Sequence, residues 1–166
     1  MNLKLTTPRL DLRTIQLEDL ELAHDLWTNA EVRRFLFDDR VISVDEARAL
    51  IEASLKNFEE RGYGLWLAFS RDTGTLVGFA GFISSSDESP NLVYGVHPDF
   101  CGSGFATEAA TAVLDYAFET LALSSVKADV DEPNAASVRI LEKLGMTRVR
   151  RAIVSGRPLL YYEQRR

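Results

Sequence analysis

Three short apolar runs in the middle of the chain constrain its fold more than any other feature. They are GLWLAFS, TLVGFAGFIS and NLVYGV, and each is rich in aromatic and branched apolar residues. Two segments with the composition of turns, RDTG and SSSDESPN, separate them. Because such brief connections return the chain alongside itself, the pattern predicts three consecutive strands of an antiparallel meander.

The segment before the meander predicts one strand and two helices. RLDLRTI has the alternation of a strand, and apolar residues recur at helical spacing from about Leu17 to Thr28. A second helix is predicted to begin at Ser43, with Glu46 completing a capping box, and to end at Gly62.

The sequence after the meander continues to alternate between helix and strand. Apolar residues from Ala106 to Leu121 trace one face of a helix. They are followed by a strand in SVKADV, a short helix in PNAASVRILEKLG and a closing hairpin of MTRVRRAIV and PLLYYEQ. This order predicts a mixed α/β (α+β) fold, with one sheet of about seven strands and helices on both faces. At 166 residues the chain is expected to form a single domain, 1–166.

Charge and composition exclude several classes of function. The net charge of −6 argues against a nucleic-acid binder and favours small molecules or basic acceptors such as amines. Because Cys101 is the single cysteine, neither an intramolecular disulfide nor a zinc cluster is expected. No apolar run approaches the roughly 20 residues of a membrane span, and the N-terminus lacks the pattern of a secretory signal. We therefore expect a cytoplasmic monomer or homodimer with no metal, membrane or nucleic-acid partner.

The stretch HPDFCGSGFATEAA places Gly102 and Gly104 between the last meander strand and a helix. A nucleotide P-loop is excluded because Phe105 and Ala106 follow the second glycine, where Lys and Ser or Thr are needed. A dinucleotide fingerprint is weakened because Thr107 replaces its third glycine. Two interpretations stay open: backbone N–H groups from residues 101–106 that bind a pyrophosphate, or a tight turn whose glycines serve packing alone.

Five segments spread over nearly the whole chain carry a resemblance to a known family. They are, in order, TPRLDLR, LWTNAEVRRFL, LVGFAGF, VHPDFCGSGFATEA and NAASVRILEKLGM. Together they resemble the GNAT superfamily of acetyl-CoA-dependent N-acetyltransferases, in the branch that contains the ribosomal-protein alanine N-acetyltransferases. The resemblance implies a mostly antiparallel sheet in which two central strands splay apart.

The resemblance also implies acetyl-CoA as cosubstrate, without a metal, and a primary amine as acceptor. The amine would belong to a protein N-terminus, a peptide or a small molecule, and would attack the thioester directly in a ternary complex. Cys101 departs from the Arg or Gln that opens the family's phosphate signature, which matters little to a loop that binds through backbone N–H groups. The cofactor-binding residues implied by the resemblance are Gly95, Val96, His97, Cys101, Gly102, Ser103, Gly104, Phe105, Ala106, Thr107, Asn134 and Ser137.

Two catalytic roles follow from the same resemblance. Many superfamily members carry a tyrosine in the last helix as proton donor to the departing thiolate, and here Leu141 occupies that position and cannot donate. In the branch resembled, a serine one turn earlier is the proposed substitute, and Ser137 lies there. The backbone N–H of Val96 is implied as a donor to the developing oxyanion. From the residues alone, Ser137 is equally an ordinary first-turn serine, and Asn134 is an N-cap.

The proton acceptor is left unassigned by the sequence. Asp87, Glu88, Asp129 and Asp131 lie near strand ends, but surface acids are usually only solvated. His97 is expected to pack at a strand end before Pro98 rather than to act as base. A water that relays the proton to a carboxylate is equally open.

Two other functions stay open at this point. One is a non-catalytic acetyl-CoA-binding sensor or assembly module. The other is a covalent enzyme with Cys101 as nucleophile and His97 as its base. Five aromatic residues are predicted to form core or cleft wall: Trp27, Phe35, Phe37, Trp66 and Phe82.

Overall fold

A computed structural model describes residues 3–34, 36–84 and 89–166 of the chain. The strands are β1 (Lys4–Thr6), β2 (Leu10–Thr14), β3 (Leu65–Ser70), β4 (Leu76–Ser84), β5 (Pro90–Val96), β6 (Ser125–Asp131), β7 (Thr147–Val154) and β8 (Arg157–Arg165). The helices are α1 (Leu20–Thr28), α2 (Ala30–Arg33), α3 (Val44–Arg61), α4 (Phe105–Asp115) and α5 (Ala135–Lys143). Asp87, Glu88 and Phe35 lie outside the described residues.

The eight strands form one sheet in the order β1-β2-β3-β4-β5-β6-β8-β7. Neighbouring strands pair antiparallel throughout this sheet, with one exception: β5 and β6 run parallel and share a single pair, Asn91 with Lys127. The prediction of a mostly antiparallel sheet with a central splay is therefore confirmed. The strand beyond the predicted seven is β1, whose three residues are too few to show an alternation in the sequence.

Helix α3 matches its sequence signals at both ends. The Ser43 hydroxyl accepts from the N–H of Glu46 at 3.0 Å, the Glu46 carboxylate accepts from the N–H of Ser43 at 3.1 Å, and Gly62 ends the helix with φ +82°.

Three other helical segments differ from the sequence prediction. A 3₁₀ turn at Leu17–Asp19 precedes α1, and α4 ends at Asp115 in a π-helical turn, Tyr116–Thr120. The short helix α2 lies beyond the predicted end of the first helix at Thr28, and it is capped by the Asn29 side chain, which accepts from the N–H of Glu31 at 3.0 Å. Apolar periodicity does not distinguish these hydrogen-bond patterns, because it records which side is buried and not which carbonyl accepts.

The sheet separates two cores because alternate strand residues point to opposite faces. The first core lies under α4 and α5 and includes Trp66, Phe82, Leu92 and Leu141. The second lies under α1 and α3 and includes Trp27, Leu67 and Phe79. Trp27, Trp66 and Phe82 are fully buried, as predicted, and Phe37 packs against the second core.

No helix among residues 3–34, 36–84 and 89–166 combines the length and apolar character that crossing a bilayer requires.

Candidate active site

The separation of β5 from β6 opens a cleft of about 480 Å³ in the middle of the sheet. Beyond their single shared pair the two strands diverge, and Tyr94, Gly95 and Val96 line one side while Asp129 and Asp131 line the other. Strands that diverge leave backbone donors and acceptors without a strand partner. The cleft can therefore pair with an extended ligand as an inserted strand would.

The backbone N–H of Val96 is directed into this cleft. His97 donates its N–H to the carbonyl of Val77 on β4 at 2.8 Å. Because successive residues of a strand direct their N–H groups to opposite sides, the N–H groups of Val96 and Tyr94 turn away from β4 towards the gap. Gly95 lies between them because the Phe79 ring approaches closely: a Cβ there would lie 2.7 Å from Phe79 Cε1.

The glycine loop lies at the end of the cleft, between β5 and α4. Gly102 and Gly104 have φ of +83° and +82°, a left-handed conformation that other residues rarely adopt, and residues 101–104 are exposed. Successive residues in such turns direct their N–H groups towards one point, and α4 begins directly afterwards at Phe105. The loop thus has the geometry of an anion-binding site built from backbone.

The predicted cofactor-binding residues lie either in the cleft or in this loop. Those that line the cleft are Gly95, Val96, Cys101, Ala106, Asn134 and Ser137. Those outside its lining are His97, Gly102, Ser103, Gly104, Phe105 and Thr107, which continue from the end of β5 through the exposed loop into α4.

The Cys101 thiol and the His97 imidazole each have backbone partners, and the contact between the two residues is from the thiol to the His97 carbonyl oxygen. The Cys101 thiol lies 3.8 Å from the carbonyl oxygen of Val96 and 3.7 Å from that of His97. The Nδ1 atom of His97 accepts from the N–H of Asp99 at 3.2 Å, which caps a turn at Pro98–Phe100. A nucleophile and its base need a direct hydrogen bond, so this arrangement does not favour a covalent mechanism at Cys101.

A cluster that the sequence did not reveal supports the loop from the N-terminal side. The Glu108 carboxylate accepts from Arg9 Nε at 2.8 Å and from the Arg9 N–H at 3.0 Å, and it also accepts from the Thr7 hydroxyl. The Arg9 guanidinium lies 4.0 Å above the Phe105 ring. Burial raises the pKa of Glu108, but the hydrogen bonds from Thr7 and Arg9 outweigh it and leave that pKa below its usual value.

Helix α5 and strand β5 bring two hydroxyl groups together at the cleft. The Asn134 side chain accepts from the N–H of Ser137 at 3.2 Å, which confirms Asn134 as the N-cap. The Ser137 hydroxyl oxygen lies 2.6 Å from the hydroxyl of Tyr94 on β5. Burial raises the pKa of Tyr94 to about 12, against a smaller opposing effect of the Ser137 hydrogen bond. The sequence analysis did not single out Tyr94, because an aromatic residue in an apolar strand such as NLVYGV is usually part of the hydrophobic core.

Acidic side chains surround the other end of the cleft. Arg157 on β8 donates to Asp131 at 3.0 Å and pairs with Asp38, which lies in a turn (Phe37–Asp39) whose residues all have positive φ. Asp129 keeps contact with solvent, but the surrounding walls desolvate it and raise its pKa. Its hydrogen bond with Asn91 acts in the opposite direction, while the nearby Asp131 adds to the rise.

The cleft is lined from both faces of the sheet. Tyr94, Val96 and Leu141 belong to the side of the first core. Val32, Leu36, Phe37 and Val93 pack against the second core. A ligand that follows the glycine loop and α5 therefore approaches from one face, while a second ligand can approach between α2 and β6 from the other.

Among the residues that the structure describes, no group of three or more His, Cys, Asp and Glu side chains is placed to hold a metal ion. His24 lies away from the cleft, where its Nε2 atom is 2.8 Å from the carbonyl oxygen of Ile42.

Comparison with known proteins agrees with this architecture. The family model for the Acetyltransferase (GNAT) domain matches residues 9–147. The uncharacterized N-acetyltransferase YoaA of Bacillus subtilis is 32% identical over 143 residues, which cover 85% of this chain and 81% of that protein. The spermidine N(1)-acetyltransferase of Escherichia coli K12 is 27% identical over 138 residues, covering 82% of this chain and 72% of the relative. RimL, a ribosomal L7/L12 alpha-N-protein acetyltransferase solved with coenzyme A, has a TM-score of 0.82 at 16% identity over 98% of both chains, a likeness of fold.

A mostly antiparallel sheet of eight strands, split at one parallel junction, is the fold that this chain shares with solved GNAT acetyltransferase structures. This chain belongs to the GNAT acetyltransferase family, as the resemblance predicted, and it is an acyltransferase that acts on amines.

Proposed function

We propose that this protein transfers the acetyl group of acetyl-CoA to a primary amine by direct attack in a ternary complex. The observation that carries the proposal is the cleft lined from both faces of the sheet at the β5–β6 split. Two substrates entering from opposite faces meet there without a covalent intermediate on the protein. Holding both in one orientation lowers the barrier by several kcal/mol.

The residues at the split fit coenzyme A along its length. The exposed loop of residues 102–104, with its two left-handed glycines, and the first residues of α4 suit a pyrophosphate. The N–H of Cys101 instead donates to the carbonyl of Pro98 at 3.2 Å, so the donors in this proposal are those of residues 102–106. The N–H groups of Val96 and Tyr94, directed into the gap, suit the amides of a pantetheine arm, and Asn134 lies at the opposite edge of the cleft. When bound, acetyl-CoA supplies the activated thioester.

Val96 and Ser137 carry the two electrostatic roles. The N–H of Val96 donates to the thioester oxygen as negative charge develops on it. The Ser137 hydroxyl, on the first turn of α5, donates to the sulfur as the C–S bond breaks. Both groups lie on the walls of one cleft, Val96 on β5 and Ser137 on α5.

Asp129 is the proton acceptor in this proposal. Its carboxyl group lines the cleft on the side opposite Val96 and remains in contact with solvent. Its raised pKa makes it a stronger base than an ordinary exposed aspartate, so it can take the proton of the attacking amine. Asp131 is less suited to the role because its carboxylate is paired with Arg157.

The acceptor is a cationic small molecule or the N-terminus of a peptide or protein. Asp38, Asp129 and Asp131 give the amine end of the cleft a negative character, and the whole chain carries a charge of −6. The likeness to a spermidine acetyltransferase supports a polyamine as the first acceptor to examine.

The test combines calorimetric titration of acetyl-CoA with an assay of CoA thiol release. The acceptors are spermidine, spermine, short peptides with free N-termini and simple alkyl amines. We expect acetyl-CoA to bind in the absence of amine and thiol to be released with at least one cationic acceptor. Ser137→Ala should lower kcat by about tenfold or more while acetyl-CoA still binds. Binding without thiol release across the whole panel would contradict the proposed transfer.

A further inference from the structure

We propose that Tyr94 is a positioning residue for the leaving group: its hydroxyl donates to Ser137 Oγ and so directs the serine proton towards the sulfur. This inference rests on the proposed function, since it concerns how the same site treats the departing thiolate. It begins from a contact between β5 and α5 that the sequence did not reveal, the 2.6 Å separation of the two hydroxyl oxygens.

Tyr94 is the donor in this pair for a chemical reason. A phenol is a stronger acid than an aliphatic alcohol, even with a pKa raised to about 12 by burial. The phenol therefore donates the shorter bond, to Ser137 Oγ, while the carbonyl oxygen of Ser137 lies further away at 3.4 Å. Since the serine oxygen accepts this bond, its own hydrogen is directed elsewhere, and the cleft lies on its open side.

The surrounding structure fixes both partners of the pair. Asn134 holds the backbone N–H of Ser137, so the first turn of α5 cannot rotate freely. Tyr94 projects to the α4–α5 face of the sheet, where it packs against the first core. The contact thus joins β5 to α5 beside the split and sets the orientation of the serine before a ligand arrives.

The proton balance of the reaction shows what this orientation achieves. The amine nitrogen forms a bond to the carbonyl carbon and loses one proton, and the C–S bond breaks with its electron pair on sulfur. Ser137 donates a proton to the sulfur and regains one from solvent, so that one proton leaves nitrogen and one reaches sulfur. During this exchange the hydrogen bond from Tyr94 stabilises the negative charge that develops on the serine oxygen.

The experiment measures the acidity of the CoA thiol when it is bound to the protein. Free CoA is the probe, and the ultraviolet absorbance of its thiolate is titrated against pH on the wild-type protein and on variants. A donor aimed at sulfur stabilises the thiolate, so we expect the pKa of the bound thiol to be about one unit below that of free CoA. In Tyr94→Phe the pKa of the bound thiol should rise part of the way back to that of free CoA. In Ser137→Ala it should rise all the way, and the double variant should match Ser137→Ala.

Tyr116→Phe is the matched control, because it also removes one phenolic hydroxyl from the first core. That hydroxyl donates to the carbonyl of Gly62 at 2.7 Å, away from the cleft, and the bound thiol should titrate as in the wild type. If the pKa of the bound CoA thiol is the same in Tyr94→Phe as in the wild type, the inference is overturned while the proposed function stays intact. Failure of the wild-type protein to bind CoA overturns both.

A kinetic measurement separates positioning from a general loss of structure. The selenium analogue of acetyl-CoA releases a selenol, which is much more acidic than a thiol and needs little help from a proton donor. We expect Tyr94→Phe to lower kcat about tenfold with acetyl-CoA and less than threefold with the selenoester, with KM for either changed less than twofold. An equal loss with both esters shows that the residue acts through structure alone and overturns the inference.

Discussion

Arg9 and Glu108 form an ion pair of 2.8 Å between the segment before β2 and the first turn of α4. The pair ties the N-terminal segment to the helix that follows the glycine loop, and the same guanidinium covers the Phe105 ring. A Cβ at Gly104 would lie 3.5 Å from Arg9 Nη2, so the guanidinium also borders the loop itself. The glycine loop, our proposed pyrophosphate site, is therefore supported by residues almost one hundred positions earlier in the chain.

We predict that Glu108→Gln lowers the free energy of unfolding by about 1–2 kcal/mol at neutral pH, because three donors lose a charged acceptor. The pKa of Glu108 lies below its usual value, so its contribution is present above the unfolded value and is lost as pH falls through the folded one. The difference in free energy of unfolding between Glu108→Gln and the wild type should therefore disappear at acidic pH. Urea unfolding at several pH values measures this, and a gap independent of pH would contradict it. Glu119→Gln, at an exposed site after α4, is the control.

We predict that Gly102→Ala weakens acetyl-CoA binding, because alanine disfavours the φ of +83° that orients the loop. Gly74→Ala is a matched control: its φ is +74°, and as at Gly102 no atom lies within 4 Å of the added Cβ. Both variants should lose about 1 kcal/mol of stability from backbone strain. Calorimetry should show a loss of affinity in Gly102→Ala alone, and equal affinities in the two variants would show that the loop does not bind the ligand.

Local signals explain why much of this fold was predictable from sequence. Ser43, Glu46 and Gly62 lie within one segment and specify α3 without reference to the rest of the chain. Gly102 and Gly104 likewise indicate a turn that requires positive φ, and both residues have positive φ in the structure. By contrast β1 and α2 have three and four residues, fewer than any periodic pattern needs.

Contacts between distant segments explain what the sequence did not provide. Tyr94 and Ser137 are 43 positions apart, and neither segment carries a pattern that specifies the other. A tyrosine in an apolar strand is ordinarily core, and Tyr94 does pack against the core with its ring while its hydroxyl reaches the cleft. Asp129 could not be separated from other acids by sequence, because its raised pKa arises from the cleft walls around it.

We predict that Cys101→Ala retains acetyl-transfer activity within about twofold of wild type, because in the proposed site the loop binds through backbone groups. The thiol interacts with the carbonyl oxygens of Val96 and His97, and neither contact provides a base. Thiol-release kinetics and mass spectrometry of the protein after incubation with acetyl-CoA provide the measurement. A stable acetyl adduct on Cys101 together with loss of turnover in the variant would instead indicate the covalent mechanism.

We predict that Asp129→Asn lowers kcat by about a hundredfold without changing the affinity for acetyl-CoA. The carboxyl group accepts a proton only when ionised, so wild-type kcat should rise as pH rises through its raised pKa, and the variant should lose this acidic limb.

The raised pKa of Asp129 also determines whether Asp129→Asn raises or lowers the stability of the fold. A carboxyl group whose pKa is higher in the folded state favours folding when protonated, and this advantage is lost as pH rises through the folded value. The neutral amide of Asp129→Asn avoids that loss, so the variant should be at least as stable as wild type at neutral pH. Asp115→Asn, at the exposed end of α4, should leave the acidic limb of the kcat profile unchanged. An acidic limb that persists in Asp129→Asn would assign the proton acceptor to another group.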